Sequence, residues 1–194
     1  MADNYLEKKM EEHRLAAASR PTRRVVSSAA PKPGFLELKF KPLRVLVTDA
    51  TAPAAEAVVR RLTGVGCRVA FTSTDLRRGR ELSQATGSRF YPVKAAGLHV
   101  GSVADNLCEV WGGVDAMVLT GVHAPEQSVF AVPESCTRVI ALGLDAQLPE
   151  CVARDGLTVN AVRPENISAA DAAEFCLYLL LPASSFINKQ LFTF

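Results

Sequence analysis

Residues 43–64 constrain the fold of this chain more than any other stretch. Leu43 to Thr48 are almost continuously apolar, which predicts a strand buried on both faces. A tight turn follows, and then a helix from about Pro53 to Thr63. A strand, a turn and a helix at the head of an α/β domain usually form the place where a dinucleotide phosphate binds. Such a turn usually needs glycines, and residues 48–55 contain none.

Strands and helices continue to alternate after this opening unit. The further predicted strands are 68–73, 89–93, 114–120, 138–142, 157–162 and 190–194, and the further predicted helices are 76–86, 102–110, 149–154 and 171–181. Such alternation favours an α/β fold with a parallel sheet. Right-handed crossovers then give a three-layer, Rossmann-like, doubly wound sheet with helices on both faces.

The charge of the chain divides it into two parts. Residues 1–41 carry a net charge of +4 and include a linker-like stretch over 19–34, whereas residues 42–194 carry a net charge of −2. We predict a basic N-terminal arm and linker over 1–41 and a Rossmann-like domain over 42–194. Residues 4–18 can form a short helix, and residues 35–40 alternate as an edge strand does. Docking of the arm to an acidic protein is one open hypothesis for its role.

Composition excludes several classes of function. The whole chain has a net charge of +2, which is too small to indicate a nucleic-acid partner. No apolar run approaches the ~18–20 residues of a membrane span, and the N-terminus has no apolar signal core. The five cysteines are scattered and predict reduced thiols, so we expect a cytoplasmic protein. The histidines lack metal-ligand spacing, and no metal site is predicted. The histidines are His13, His99 and His123.

Three stretches resemble the short-chain dehydrogenase/reductase family. Residues 44–73 resemble its opening strand, turn, helix and strand, and residues 111–118 (Trp-Gly-Gly-Val-Asp-Ala-Met-Val) resemble the approach to its fourth strand. Residues 156–164 (Gly-Leu-Thr-Val-Asn-Ala-Val-Arg-Pro) and 182–190 resemble its sixth strand and its C-terminal segment. The resemblance implies a Rossmann fold and NAD(P)-dependent hydride transfer. It also implies that the C-terminal segment builds a subunit interface.

The cofactor turn departs from the family's pattern. The family's Thr-Gly-x-x-x-Gly-x-Gly falls on Thr48, Asp49, Pro53 and Ala55, so all three glycines are replaced. Glycine allows a positive φ and a close approach of the backbone to the pyrophosphate. The carboxylate of Asp49 repels phosphate, and Pro53 lacks an N–H donor. We therefore predict that no cofactor is bound at this turn.

The family's catalytic pair is also missing. A Tyr-x-x-x-Lys pair on a helix supplies its general acid/base, and the lysine lowers the pKa of the tyrosine. None of Tyr5, Tyr91 and Tyr178 is followed by lysine at that spacing, and residues 121–156 contain neither tyrosine nor lysine. That stretch is also too short for the family's two long helices. We predict a truncated, degenerate member without catalytic residues, that is, a pseudoenzyme.

Four residues are the candidates for any remaining nucleotide contact. Thr48 and Thr51 lie in the turn, and Arg77 and Arg78 follow the second strand, where family members that prefer NADP place a basic residue against its 2′-phosphate. The loop residue His123 follows the fourth strand. The simpler interpretation of the two arginines is a solvated helix surface. If a nucleotide binds here, we expect it to be NADP.

Two hypotheses for function follow from these observations. The first is a structural or regulatory subunit that assembles as a homo-oligomer, or as a hetero-oligomer with an active dehydrogenase. The alternative is an NAD(P)-dependent oxidoreductase or nucleotide sensor with a rearranged cofactor pocket. Neither hypothesis requires nucleic acid or a membrane.

Overall fold

The computed structural model describes residues 41–94, 99–120, 132–143 and 155–194. Predictions for the N-terminal arm, for a helix at 149–154, for His123 and for Cys151 lie outside these ranges. The described strands are β1 (Arg44–Val47), β2 (Arg68–Ser73), β3 (Arg89–Pro92), β4 (Ala116–Leu119), β5 (Arg138–Leu142), β6 (Thr158–Arg163) and β7 (Leu191–Thr193). The described helices are α1 (Pro53–Gly64), α2 (Leu76–Thr86), α3 (Val100–Trp111) and α4 (Ala169–Leu180), followed by a 3₁₀ turn at Pro182–Ser184.

All seven strands form one parallel sheet in the order β3-β2-β1-β4-β5-β6-β7. The chain starts in the middle of the sheet, extends to one edge through β3, and returns across β1 to build the other half. This is the predicted doubly wound, Rossmann-like architecture, and the prediction is confirmed. Because the strands are parallel, their carboxyl ends share one edge of the sheet, which we call the carboxyl edge, and their amino ends share the opposite one, the amino edge.

The alternation of side chains along β1 produces two cores, one on each face of the sheet. Val45 and Val47 are fully buried on the face that α1, α2 and α4 cover. Leu46, also fully buried, belongs to the opposite core, which includes residues of α3. The near-continuous apolar run of β1 is therefore explained by its burial on both faces.

Local signals in the sequence determine where the helices begin and end. Asp75 caps α2 by accepting hydrogen bonds from the backbone N–H groups of Arg77 and Arg78. Gly87 ends the same helix with a left-handed φ of 70°. Ser168 caps α4, because its hydroxyl accepts from the backbone N–H of Asp171 at 3.1 Å. This cap places the start of α4 two residues before the predicted one.

Other predicted boundaries were wrong by one or two residues, most clearly those of α3 and β4. Helix α3 begins at Val100 instead of 102, because His99 takes a left-handed φ of 61° as its N-terminal flanking residue. Strand β4 covers Ala116–Leu119 instead of 114–120. Its predicted first residues follow Gly113, whose φ of 138° interrupts the strand, and Thr120 makes side-chain hydrogen bonds where the strand ends.

A close contact fixes α2 against β3. A Cβ atom added to Gly79 would lie 2.5 Å from the ring of Phe90, well inside van der Waals contact. The missing side chain thus lets the helix lie directly on the aromatic ring, which in turn stacks on Phe71 with 5.3 Å between centroids. This packing holds the start of α2, with Arg77 and Arg78, beside the carboxyl edge.

Arg44 and Asp115 join β1 to the approach of β4 at the amino edge. The guanidinium of Arg44 donates from Nε to Oδ2 of Asp115 at 2.9 Å and from Nη2 to Oδ1 at 2.6 Å. Its Nη1 also donates to the carbonyl of Trp111, at the end of α3, at 3.0 Å. These hydrogen bonds from Arg44 hold the pKa of Asp115 below its ordinary value.

Within the described ranges, no helix is long and apolar enough to cross a membrane.

Candidate functional site

The carboxyl ends of β1, β2 and β4 meet at the position where a doubly wound sheet usually binds its ligand. A threonine lies near the end of each strand here: Thr48 after β1, Thr72 as the second-last residue of β2 and Thr120 after β4. All three are at most 2% exposed. We call this set the threonine cluster. The carboxyl edge is therefore lined by hydroxyl groups that the protein has buried.

The threonine cluster extends the pairing of β1 and β4 through side chains. The hydroxyl of Thr48 accepts from the backbone N–H of Thr120 at 2.8 Å and donates to its carbonyl at 3.1 Å. In return, the hydroxyl of Thr120 contacts the carbonyl oxygens of Thr48 and, at 2.9 Å, of Asp49. Each hydroxyl thus satisfies backbone groups that the strands leave unpaired at their ends.

Asp49 keeps the backbone conformation that a glycine normally supplies. Its φ is 44°, in the left-handed region, where aspartate is tolerated better than most residues with a Cβ. Its backbone N–H donates to the hydroxyl of Thr72 at 2.8 Å, and the next N–H, of Ala50, donates to the carbonyl of Thr72 at the same distance. The donors at the start of this turn are therefore already used within the protein.

The carboxylate of Asp49 belongs to the turn itself. Its Oδ1 accepts a hydrogen bond from the hydroxyl of Thr51 at 2.7 Å, and the residue is only 8% exposed. Among the described residues, no lysine or arginine forms an ion pair with it. A phosphate placed in this turn would meet a negative charge that no cation offsets.

Helix α1 presents an acidic first turn to the same edge. Its N-terminal flanking residue, Ala52, makes no side-chain cap, and Pro53 provides no donor at the first helical position. Glu56 follows in the first turn, where it bonds to Arg60 at 2.8 Å. A carboxylate here complements the helix dipole, which a bound phosphate would otherwise do.

The two candidate arginines start α2, next to α1. Arg77 has an 83% exposed side chain and lies 3.8 Å from Glu81 of the following turn. Arg78 is 53% exposed and lies 4.0 Å from the second carboxylate oxygen of Glu56. The structure thus brings Arg78 to the first turn of α1 through Glu56, while Thr48 and Thr51 share the turn before that helix. Their role in binding a nucleotide stays a prediction.

The two described tyrosines have surroundings unlike those of a catalytic pair. Tyr91 lies in β3, and its hydroxyl donates to Asn106 of α3 at 2.8 Å. Tyr178 lies on α4 with 38% of its surface exposed. Among the residues with described positions, no group of histidine, cysteine or acidic side chains has the arrangement of a metal site.

The sequence pattern missed the importance of Thr72 and Thr120. Both lie near the ends of buried strands, which is a recognisable signal, but their partners lie 23 and 71–72 residues away along the chain. That pairing depends on which strands are neighbours in the sheet. The signal would have indicated a polar cluster at the carboxyl edge without saying which groups it satisfies.

Solved structures of short-chain dehydrogenase/reductases share this fold. BdcA from E. coli is 21% identical with a TM-score of 0.61, and the match covers 80% of this chain and 99% of that one. A short-chain dehydrogenase/reductase from Serratia marcescens is 16% identical with a TM-score of 0.60, covering 79% and 98%. L-sorbose reductase from Gluconobacter frateurii, solved with NADPH and L-sorbose, is 10% identical with a TM-score of 0.59, covering 82% and 97%.

At these identities the likeness establishes the fold alone. No protein-family model matches the sequence, and no curated protein sequence matches it significantly. The resemblance of the sequence to short-chain dehydrogenase/reductases is thus supported at the level of architecture.

Proposed function

We propose that this protein is a catalytically degenerate short-chain dehydrogenase/reductase-like protein, a pseudoenzyme. In this proposal it acts as a structural or regulatory subunit that assembles with itself or with an active dehydrogenase. The observation that carries the proposal is the turn after β1, where the protein's own side chains occupy the hydrogen-bonding groups. The proposal includes a cytoplasmic location, which fits the four described cysteines because all of them are free thiols. One of them, Cys176, stays neutral because burial raises its pKa to about 12.

Binding of a pyrophosphate at this turn would require several bonds to break. The threonine cluster would have to release backbone groups, and Asp49 would have to be neutralised or moved away from the phosphate. Each buried group left without a partner costs about 1–3 kcal/mol. The summed cost weakens binding by orders of magnitude relative to a turn with free N–H groups.

The C-terminal segment offers a surface suited to assembly. Phe186 is 80% exposed, Leu191 is 43% exposed and Tyr178 is 38% exposed. Tyr178 lies beside Phe175, with 6.1 Å between ring centroids, and Phe175 in turn contacts Phe192 and Phe194. Among the described strands, β7 is at the edge of the sheet and pairs with β6 alone. An exposed aromatic surface beside an open strand edge is typical of a protein interface.

The oligomeric state in solution tests this proposal. Light scattering on the full chain is expected to give a dimer or larger species, and Phe186→Ser is expected to shift it toward the monomer. Val110→Ser is the matched control, because Val110 is 49% exposed but lies on α3. If the protein is strictly monomeric and captures no dehydrogenase from its own cells, the proposal is wrong.

The alternative is a nucleotide-binding oxidoreductase or sensor with a rearranged pocket. It is favoured by the positive φ of Asp49, which preserves the backbone shape of a dinucleotide turn, and by the exposed guanidinium groups of Arg77 and Arg78. Thr51 would contribute its hydroxyl. Thr48 would do so after releasing Thr120, and His123 is the predicted loop contact.

Calorimetry separates the two functions. Saturable micromolar binding of NADPH, weakened when Arg77 and Arg78 are changed to alanine, would support the alternative. Under our proposal neither NADPH nor NADH gives heat at millimolar concentration. Arg80→Ala is the control, since Arg80 is an exposed arginine of the same helix.

A further inference from the structure

An open cavity of about 450 Å³ lies at the amino edge of the sheet. The cofactor turn lies at the opposite, carboxyl edge. The cavity is bordered by the ends of α1 and α2, by the first residues of β2 and β3, and by the last residue of α3. Among the residues that the structure describes, the lining contains no aspartate or glutamate. Its residues are Thr63, Gly66, Cys67, Arg68, Val69, Thr86, Gly87, Ser88, Arg89 and Trp111.

Two arginines provide the charge of this cavity. Arg68 begins β2 and Arg89 begins β3, and the register pairs Arg89 with Ala70, two residues beyond Arg68. Residues two apart in a strand face the same way, so both side chains lie on the same face of the sheet. On adjacent strands this spacing puts their Cα atoms about 8 Å apart, within the reach of one small ligand for two long side chains.

Aromatic rings hold both guanidinium groups in place. The Cζ atom of Arg68 lies 4.6 Å from the centroid of Trp111, and that of Arg89 lies 5.2 Å from the centroid of Tyr91. Stacking on a ring restricts the guanidinium and leaves the N–H groups on its edge available. The two cations are therefore restrained before any ligand arrives, which lowers the entropy cost of binding.

The hydroxyl groups around the cavity are already bonded. Thr63 donates to the carbonyl of Val59 at 2.9 Å, and Thr86 and Ser88 bond to each other at 2.6 Å. By contrast, Arg68 and Arg89 form no side-chain hydrogen bond and no ion pair with any residue in the described part of the chain. Among the described residues of the lining, the charged donors without a protein hydrogen-bond partner thus belong to the two guanidinium groups.

Complementing helix ends is the simpler explanation for arginines at this edge. Helices α1, α2 and α3 end here, and their last carbonyl groups attract cations. Arg44 does this directly, with its bond to the carbonyl of Trp111. Arg68 and Arg89 make no such bond, so the helix ends leave their donors unused. The two full positive charges of the guanidinium groups also exceed the partial negative charges that the helix C-termini present at this open surface.

We propose that this cavity binds a small dianion, either a phosphate monoester or a dicarboxylate, between Arg68 and Arg89. The planar fork of each guanidinium matches two oxygen atoms of phosphate or carboxylate. A ligand with two negative charges neutralises the positive charges of both arginines. The site is separate from the cofactor turn, so it does not depend on whether the protein is a pseudoenzyme.

The sequence supplies a specific reporter for this test. Trp111 is the only tryptophan in the chain, and it lies in the cavity against Arg68. Its fluorescence is titrated with glycerol 3-phosphate and with succinate, at an ionic strength held constant by sodium chloride. We expect a saturable change with at least one of the two. A response to glycerol 3-phosphate alone identifies the phosphate class, and a response to succinate alone identifies the dicarboxylate class.

Matched variants decide whether the arginines are responsible. Arg89→Gln is expected to raise the Kd about tenfold or more, because hydrogen bonds to a charged group are lost. Arg80→Gln removes the same charge from an exposed site outside the cavity lining and should leave the Kd within about twofold, as screening predicts. Arg68→Gln also removes the stacking on Trp111, so its binding is followed by ligand-induced shifts in melting temperature.

Two results would overturn the proposal. One is the absence of a saturable response to either anion in the folded wild-type protein. The other is an equal loss of affinity in Arg89→Gln and Arg80→Gln, which would mean that net charge alone attracts the anion. Circular dichroism on each variant verifies that it is folded before binding is compared.

Discussion

The threonine cluster at the carboxyl edge and the two cavity arginines at the amino edge differ in how their polar groups are bonded. At the carboxyl edge, Thr48, Thr72 and Thr120 are buried and bonded to the backbone, and Asp49 adds a carboxylate to the same turn. At the amino edge, Arg68 and Arg89 are exposed, stacked on aromatic rings and left without hydrogen-bond partners among the described residues. The turn associated with cofactors in this fold has its hydrogen-bonding groups occupied by the protein, whereas the guanidinium groups of Arg68 and Arg89 have no such partner in the described part of the chain.

This difference shows that the fold determines where a ligand site can lie, while the side chains at that place determine whether a ligand can bind. A donor that already bonds to the protein must lose that bond before it can bind a ligand, whereas a solvent-exposed donor has only to exchange water for the ligand. Similarity of architecture to NADPH-binding proteins therefore does not transfer their chemistry to this chain. The bonds present at each edge are the better guide, and the following substitutions test that comparison.

The largest effect is expected from removing a hydroxyl at the carboxyl edge. Thr120→Val keeps the shape of the side chain but leaves the carbonyl groups of Thr48 and Asp49 without this donor. We expect the free energy of unfolding to fall by about 1–3 kcal/mol, since the site is buried. Urea denaturation followed by circular dichroism measures this change.

The same substitution at the amino edge is the control. Thr137 is exposed, and its hydroxyl makes one long contact of 3.4 Å to the carbonyl of Asp115. Thr137→Val should change the free energy of unfolding by less than about 0.5 kcal/mol. Equal losses at the two positions would mean that the threonine cluster has no special structural role.

An intermediate effect is expected from Asp115→Asn, which breaks the ion pair with Arg44. The two side chains are 28% and 30% exposed, so solvent weakens their interaction, and we expect a loss of about 1–2 kcal/mol at pH 7. Because Arg44 lowers the pKa of Asp115 in the folded protein, this stabilisation is present above the unfolded pKa of about 3.9. It is lost as pH falls through the lower, folded pKa.

The stability difference between wild type and Asp115→Asn should therefore narrow below about pH 4. Urea midpoints at pH 7, 5, 4 and 3 measure it. A difference that stays constant across this range would mean that Asp115 contributes through shape and neutral hydrogen bonds, not through its charge.

The smallest effect on stability is expected at Asp49. Asp49→Gly relieves a residue with a φ of 44° but removes the bond from Thr51, and we expect a net change within about 1 kcal/mol. Our proposal predicts that NADPH still gives no heat in calorimetry with Asp49→Gly, because the threonine cluster keeps its bonds.

A second variant, Asp49→Asn, removes only the charge of the side chain. If this variant binds NADPH, charge repulsion alone closes the turn, and the comparison of the two edges must be revised.

Much of the fold could be read from the sequence because its signals are local. Strand β2 and helix α2 have the predicted bounds, since the capping Asp75 and the terminating Gly87 lie within a few residues of the boundaries. Local signals failed where a special backbone conformation intervened, as with His99 before α3. The sequence predicted the location of the candidate site and four of its residues, two threonines and two arginines. It did not predict the hydrogen bonds between Thr48 and Thr120.

The sequence by itself determined the alternation of elements, the replacement of the turn's glycines and the lack of a Tyr-x-x-x-Lys pair, because each is a property of neighbouring residues. The tertiary structure decided which polar groups are satisfied. Thr48 bonds to Thr120 and Arg44 to Asp115, pairs that are 72 and 71 residues apart. Arg68 meets Trp111 through the same folding of the sheet. Hydrogen-bond satisfaction depends on distance in space, which the order of strands in the sheet sets and residue spacing along the chain does not.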